Sequence, residues 1–243
     1  MVTGAGSGIG NAFARILIDE VRSFKQLSHV EVQAKQDEQG YEVHAADFTP
    51  SAALQELQCR LHVLDVRKQD SIFAFAEQLS NKPIDVLLNV AGVMSPQDDD
   101  RFETVSPEVL TKTFETNTFG PLLLTQALLS NLLLSDNPRV GIVSSRVGSI
   151  EDNNTGGSYA YRASKAAVNS VGKSMSVDLK QRGIVVSLLH PGITRTNISA
   201  SVTQHPESVE PEEAAGKLWR IMSGVGMEDT GKFWHREGYE LPW

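Results

Sequence analysis

The chain has 243 residues, of which 40% are hydrophobic and 21% charged, with a formal net charge of -8. That apolar content builds a sizeable core and excludes a disordered chain. The acidic balance excludes sequence-independent nucleic-acid or anionic-membrane binding, which needs clustered Lys and Arg. Cys59 is the single cysteine, so no intramolecular disulfide or thiolate metal cluster forms, and a reducing, cytoplasmic compartment is expected. No signal-peptide pattern opens the chain, and the apolar segment from Leu122 to Leu134 is interrupted by Thr125, Gln126, Ser130 and Asn131 and is too short to span a bilayer.

The first predicted strand has only Met1, Val2 and Thr3 before a glycine-rich turn, Gly4 to Gly10. Strands in such a sheet usually run about 5–6 residues, so further N-terminal sequence is expected. A helix follows the turn, and the polar stretch 28–40 then reads as an insertion. Strands are predicted at Tyr41–Asp47 and Leu61–Asp65, a helix at Ser71–Leu79 from its 3.6-residue apolar spacing, and a strand at Ile84–Asn89. Gln97–Arg101 reads as a solvated loop, and Pro107 after Ser106 marks a helix start. Next come a strand at Val140–Ser144, a helix from Tyr159 to Lys180, and a strand at Ile184–His190. The polar segment 199–210 is a candidate substrate lid, followed by a helix from Pro211 and a last strand at Gly231–His235. Continuous apolar strands alternating with helices predict a single doubly wound α/β domain over 1–243. Its seven-stranded, mostly parallel sheet should carry the active site at the strands' carboxyl ends.

Two features carry chemistry. Tyr161 and Lys165 are four residues apart, hence on one helix face. An ammonium beside the phenol is expected to draw its pKa from ~10 toward about 7, which needs roughly 4 kcal/mol. Gly4, Gly8 and Gly10 fall at a strand-to-helix turn where a backbone free of side chains can approach a pyrophosphate. Ile9 and Asn11 stand where the G-x-G-x-x-G fingerprint needs its third glycine, so a plain tight turn is the rival.

The ordered set Gly4-x-x-x-Gly8-x-Gly10, Asn89-Val-Ala-Gly92, Asn117, Ser144-Ser145, Tyr161-x-x-x-Lys165 and Pro191-Gly192 resembles the short-chain dehydrogenase/reductase family over nearly the whole chain. Ser144–Ile150, Gly157–Tyr161 and Gly238–Trp243 are similar to the carbonyl-reductase branch that includes sniffer and the C-factor signalling proteins. The resemblance implies hydride transfer between NAD(H) or NADP(H) and a small carbonyl or alcohol, in a homodimer or homotetramer. It implies that Tyr161 exchanges the proton, Lys165 holds the ribose, Ser145 binds the substrate oxygen and Asn117 positions a relay water. Ser144 and Ser149 are rivals for the serine role. The step from Ser145 to Tyr161 exceeds the family's usual spacing, a difference that Asn153, Asn154, Gly156 and Gly157 would absorb.

The cofactor would contact Gly4, Ser7, Gly8, Ile9, Gly10, Asp47, Asp65, Val66, Asn89, Ala91, Gly92, Tyr161, Lys165, Pro191, Gly192, Ile193 and Thr196. Asp47 favours NAD by accepting from ribose hydroxyls and repelling a 2′-phosphate. It lies farther past Gly10 than the usual ~20 residues, and Phe48 stands where relatives carry an arginine. Bland readings stand beside these: Asp47 as a solvated carboxylate, Asp65 as a helix cap, Asn89 as a turn cap, Pro191-Gly192 as a simple turn, His190 as a core residue and Cys59 as a small hydrophobe. No metal site is expected. The rival function is a non-catalytic nicotinamide-sensing or signalling protein on the same fold.

Overall fold

The protein is described here by a computed structural model covering residues 1–27, 41–198 and 205–243. The expected insertion at 28–40, and 199–204 of the expected lid, lie outside the described residues. Among the described residues, seven strands form one parallel sheet: β1 (Val2–Thr3), β2 (His44–Asp47), β3 (Arg60–Val63), β4 (Val86–Asn89), β5 (Arg139–Val143), β6 (Val185–His190) and β7 (Phe233–His235). Their order is β3-β2-β1-β4-β5-β6-β7. The chain runs outward from β1, then restarts on the other side at β4. This reversal opens a crevice beyond the carboxyl ends of β1 and β4.

Parallel neighbours cannot be joined by hairpins, so crossovers lay helices on both faces. They are α1 (Gly8–Leu27), α2 (Ala52–Gln55), α3 (Gln69–Gln78), α4 (Pro107–Phe114), α5 (Gly120–Ala127), α6 (Leu129–Leu132), α7 (Tyr159–Lys180) and α8 (Pro211–Gly224). Strand alternation splits the core in two. Leu87, Val140, Ile142 and Val186 face Phe75, Leu124, Val168 and Leu179 of α3, α5 and α7. Leu88, Val2, Ala45 and Leu189 face Phe13, Leu17, Leu218 and Met222 of α1 and α8. Burying such a side chain is worth ~1.5–3 kcal/mol, and both layers together fix the strand ends that frame the crevice.

Local chemistry sets the element ends. Ser106 caps α4 by accepting from Val109 N at 3.3 Å, with Pro107 in the first turn. Two residues suffice for β1 because it pairs on both sides, and bonds from Leu88 N to Met1 O (2.9 Å) and Ala5 N to Ala46 O (3.1 Å) extend its ladders.

Some expectations change. The strand expected from Tyr41 begins at His44, and the helix expected from Ser71 begins at Gln69. The helix from Pro107 is broken by a π-turn, Glu115–Phe119. Gln97–Arg101 is not simply solvated: Gln97–Asp99 forms a 3₁₀ turn and Asp100 is 1% exposed. Among the described residues, no helix is long and apolar enough to cross a membrane.

Candidate active site

The crevice has a volume of about 720 Å³ and is lined from the glycine turn at one end to Ser145, Tyr161 and Ile198 at the other. Thr3 anchors its floor. The Thr3 hydroxyl donates to Leu88 O at 3.4 Å and accepts from Val90 N (2.9 Å) and Ala91 N (3.1 Å), joining the ends of β1 and β4. Gly10 is packed so closely that a Cβ there would stand 2.1 Å from Gly4 O. Gly4 and Gly8 have left-handed backbones, φ 66° and 52°. The Asn11 side chain, at the position where the fingerprint wants glycine, instead donates to Ala5 O (2.9 Å) and Ala53 O (3.1 Å), tying the turn to α2. The start of α1 thus presents free N–H groups over a cradle with no acidic residue in the first turn, which fits a pyrophosphate.

Beside that cradle, Asp47 Oδ2 accepts from Gly6 N at 2.8 Å, and the Ser51 hydroxyl donates to Gly6 O at 2.8 Å. Asp65 is held by Arg67 through two side-chain bonds of 2.8 and 2.7 Å, which keep its carboxyl below the usual range. Arg67 lies 6.0 Å over the Phe48 ring, and both line the crevice. Sequence reasoning missed this pair as site residues, although Phe48 adjoins Asp47 and Arg67 follows Asp65 by two.

At the opposite end, a Cβ on Gly148 would stand 2.6 Å from the Lys165 backbone, so the segment after β5 packs directly on α7 and brings Ser145 opposite Tyr161. Lys165 Nζ donates to Val143 O at 2.9 Å and lies 5.7 Å from the Tyr161 ring centroid. The expected depression of the phenol is absent. Burial instead pushes Tyr161 up to about 12, offset in part by the facing Ser145 hydroxyl. Burial also draws Lys165 down to about 8. Desolvation sets the direction, and the Lys165 ammonium is engaged by the Val143 carbonyl.

The rival serines are engaged elsewhere. The Ser144 hydroxyl bonds Asn169 Oδ1 at 2.6 Å, and that of Ser149 donates to Trp243 O at 2.9 Å. Asn117 sits in the π-turn, 1% exposed. Its Oδ1 accepts from Val93 N (2.8 Å), and its Nδ2 donates to Val93 O (2.9 Å) and Ser164 Oγ (3.0 Å). It braces the wall behind Gly92 and does not line the crevice. Asn89 does not line it either: strand alternation turns its side chain toward α5, where Nδ2 meets Thr125 Oγ1 at 3.3 Å.

The remaining predicted residues meet in the crevice. Pro191–Ile193 is shaped by Arg236, whose Nη1 donates to Pro191 O (2.9 Å) and Ile193 O (3.2 Å). Thr196 folds over the glycine turn, its Cγ2 3.0 Å from where a Cβ of Gly8 would be. His190 is buried and accepts from Arg146 N at 3.2 Å through Nδ1. Burial first, then His235 and the nearby arginines, lowers it to about 3, so it is a neutral brace for the turn bearing Ser145. Among the described residues no His, Cys, Asp and Glu cluster is grouped to hold a metal.

A family model described as short chain dehydrogenase matches residues 1–207. The chain is 38% identical over 182 residues to a 1-hydroxy-2-glutathionyl-2-methyl-3-butene dehydrogenase of a Rhodococcus species, covering 74% of this chain and 78% of that protein. It is 39% identical over 170 residues to the C-signal of Myxococcus xanthus, covering 70% and 99%. In three dimensions it resembles the carbonyl reductase Sniffer of D. melanogaster (TM-score 0.81, 26% identity, covering 99% and 97%). It also resembles an NADPH-bound carbonyl reductase from chicken fatty liver (TM-score 0.79, 26% identity, covering 100% and 97%).

Proposed function

The chain belongs to the short-chain dehydrogenase family, an oxidoreductase family, and on that premise we propose that it interconverts a small carbonyl compound and its alcohol with Tyr161 as general acid and base. A bound nicotinamide supplies or takes up the hydride. The observation that carries this reading is the convergence of Ser145, Tyr161 and Lys165 at one end of a crevice whose other end is a glycine cradle at a helix N-terminus.

In this reading Gly4, Ser7, Gly8, Ile9 and Gly10 hold the pyrophosphate against the N–H groups of α1. Asp47 accepts from the adenosine ribose, Asp65 and Val66 border the adenine, and Ala91 with Gly92 forms the floor. Pro191, Gly192, Ile193 and Thr196 hold the carboxamide end. We assign NAD(H) over NADP(H): Asp47 repels a 2′-phosphate, Phe48 offers it no cation, and the Arg67 charge is engaged by Asp65. Ser145 donates to the substrate oxygen, and Lys165 holds the ribose. Asn117 keeps the Val93 wall, and with it the relay path beside Lys165, in place.

With burial pushing its phenol up to about 12, Tyr161 is protonated throughout the neutral range and holds the proton that a carbonyl oxygen takes up on reduction. The ligand-free site holds the acid form that reduction uses, and the reverse reaction first requires the phenol to lose its proton. Exposed Phe119, Leu122 and Val177 on the α5 and α7 side support a homodimer or homotetramer, and the lone cysteine supports a cytoplasmic location. The similarity to C-signal favours a second reading, a nicotinamide-binding signalling protein without turnover. Wild-type protein tested for NADH and NADPH binding, then with a panel of aldehydes and ketones, separates them. Binding with turnover supports the enzyme, binding without turnover supports the sensor, and a folded protein that binds neither nucleotide defeats both.

A further inference from the structure

Helix α7 begins without a cap of its own. Its N-cap residue, Ser158, is left-handed (φ 48°, ψ 51°) and makes no side-chain capping bond. A 22-residue helix nonetheless leaves unpaired N–H groups at its positive end. The acceptor comes from a loop 60 residues away: Asp100 Oδ1 accepts from Ala160 N at 2.7 Å, and Oδ2 accepts from Tyr161 N at 3.2 Å. Its neighbours Asp98 and Asp99 are exposed, whereas Asp100 is 1% exposed.

The loop is built to deliver that carboxylate. The Thr104 hydroxyl donates to Asp98 O at 2.6 Å and accepts from Arg101 N at 3.3 Å, and the Phe102 ring lies 5.8 Å from that of Tyr159. Tyr161 is also tied from its other side. Its carbonyl accepts from Ser164 Oγ at 2.8 Å, and that oxygen accepts from Asn117 Nδ2 at 3.0 Å. Both backbone polar groups of the proposed proton donor are therefore held by side chains from outside its own turn or by one linked to them.

We propose that Asp100 is a positioning residue for Tyr161, capping α7 from a distance so that the first turn, and the phenol at the end of its long lever, stay aimed at the reacting oxygen. The inference rests on the reading of Tyr161 as proton donor. A misplacement of about 1 Å at such a group costs about 100-fold in rate, so a cap on this one turn reaches the chemistry without touching the substrate.

The test uses Asp100→Asn, which keeps one acceptor and sets an NH₂ against the second N–H, and Asp100→Ala. In the ligand-free protein both should lose about tenfold or more of hydrogen-exchange protection at the amides of residues 160 and 161. Carbonyl-reduction kcat should fall about 10- to 100-fold, with NADH Kd and substrate KM within about twofold of wild type. Adding Asp100→Ala to Tyr161→Phe should cause almost no further loss, since the cap acts through the phenol. If Asp100→Ala fails to fold, Thr104→Val, which loosens the loop and leaves the carboxylate in place, should raise exchange at the same two amides. Unchanged exchange in Asp100→Asn and Thr104→Val, or wild-type kcat in Asp100→Asn, overturns the inference. Undiminished turnover in Tyr161→Phe instead overturns the functional reading beneath it.

Discussion

Arg236 offers a perturbation whose effect should appear at one end of the cofactor only. Its side chain is 10% exposed, and Nη1 bonds the carbonyls of Pro191 and Ile193 on either side of Gly192. Gly192 has φ 70°, and a Cβ there would stand 2.2 Å from that nitrogen, so guanidinium and turn are fitted to each other. Arg236→Met keeps the apolar stem and removes both bonds. Bonds to a charged donor are worth about 1.5–3 kcal/mol each before relaxation and water entry. If about 2 kcal/mol of ordering is lost from Pro191–Ile193, NADH affinity falls roughly 30-fold at 1.4 kcal/mol per decade. ADP-ribose, which carries the adenosine and pyrophosphate but no nicotinamide, should bind as to wild type. Titration calorimetry with both ligands makes the comparison. Equal weakening of the two, or weakening of neither, would refute the assignment of this segment to the nicotinamide end.

Further outcomes follow from single contacts. Gly10→Ala forces a methyl to 2.1 Å from Gly4 O, so it should cost about 1–3 kcal/mol in urea denaturation and abolish measurable NADH binding; wild-type binding would show that the turn is not the cradle. Phe48→Arg places a cation beside Asp47 and should move the NADPH-to-NADH affinity ratio about tenfold toward NADPH, an effect that fluorescence titration would reveal or deny. His190 has a folded pKa of about 3, below its ordinary 6.5. The unfolded chain therefore binds the extra proton first, and this contribution to stability is intact above pH 6.5 and drains away as pH falls toward 3. By about pH 4.5 the loss should amount to about 2–3 kcal/mol at 1.36 kcal/mol per unit. His190→Gln, which keeps an acceptor for Arg146 N, should flatten that part of the acid-stability curve; an unchanged slope would mean that His190 titrates alike in the folded and unfolded chain.

What could be read from the sequence was mostly local. Tyr161 and Lys165 share a face of α7, which runs over the expected residues Tyr159 to Lys180, and the glycine turn lies where a strand meets a helix. What stayed hidden depends on partners distant in sequence or on burial. Asp100 looks like one more residue of an acidic run until the fold brings Ala160 and Tyr161 to it. Asn89 ends the right strand, but the pleat that sends Leu87 toward α5 sends Asn89 the same way. The phenol's pKa went the other way from expectation because residue spacing carries the nearby charge and not the cost of drying the site. Arg67 and Phe48 enter the crevice only because β2 and β3 are neighbours.

The central claim is that the Tyr161 hydroxyl supplies the proton in a crevice that binds nicotinamide independently of it. Measuring NADH affinity and carbonyl turnover side by side in wild type and Tyr161→Phe tests this most directly. The account predicts affinity within about twofold and turnover lower by at least about 100-fold. Turnover that survives the loss of that one oxygen would contradict it.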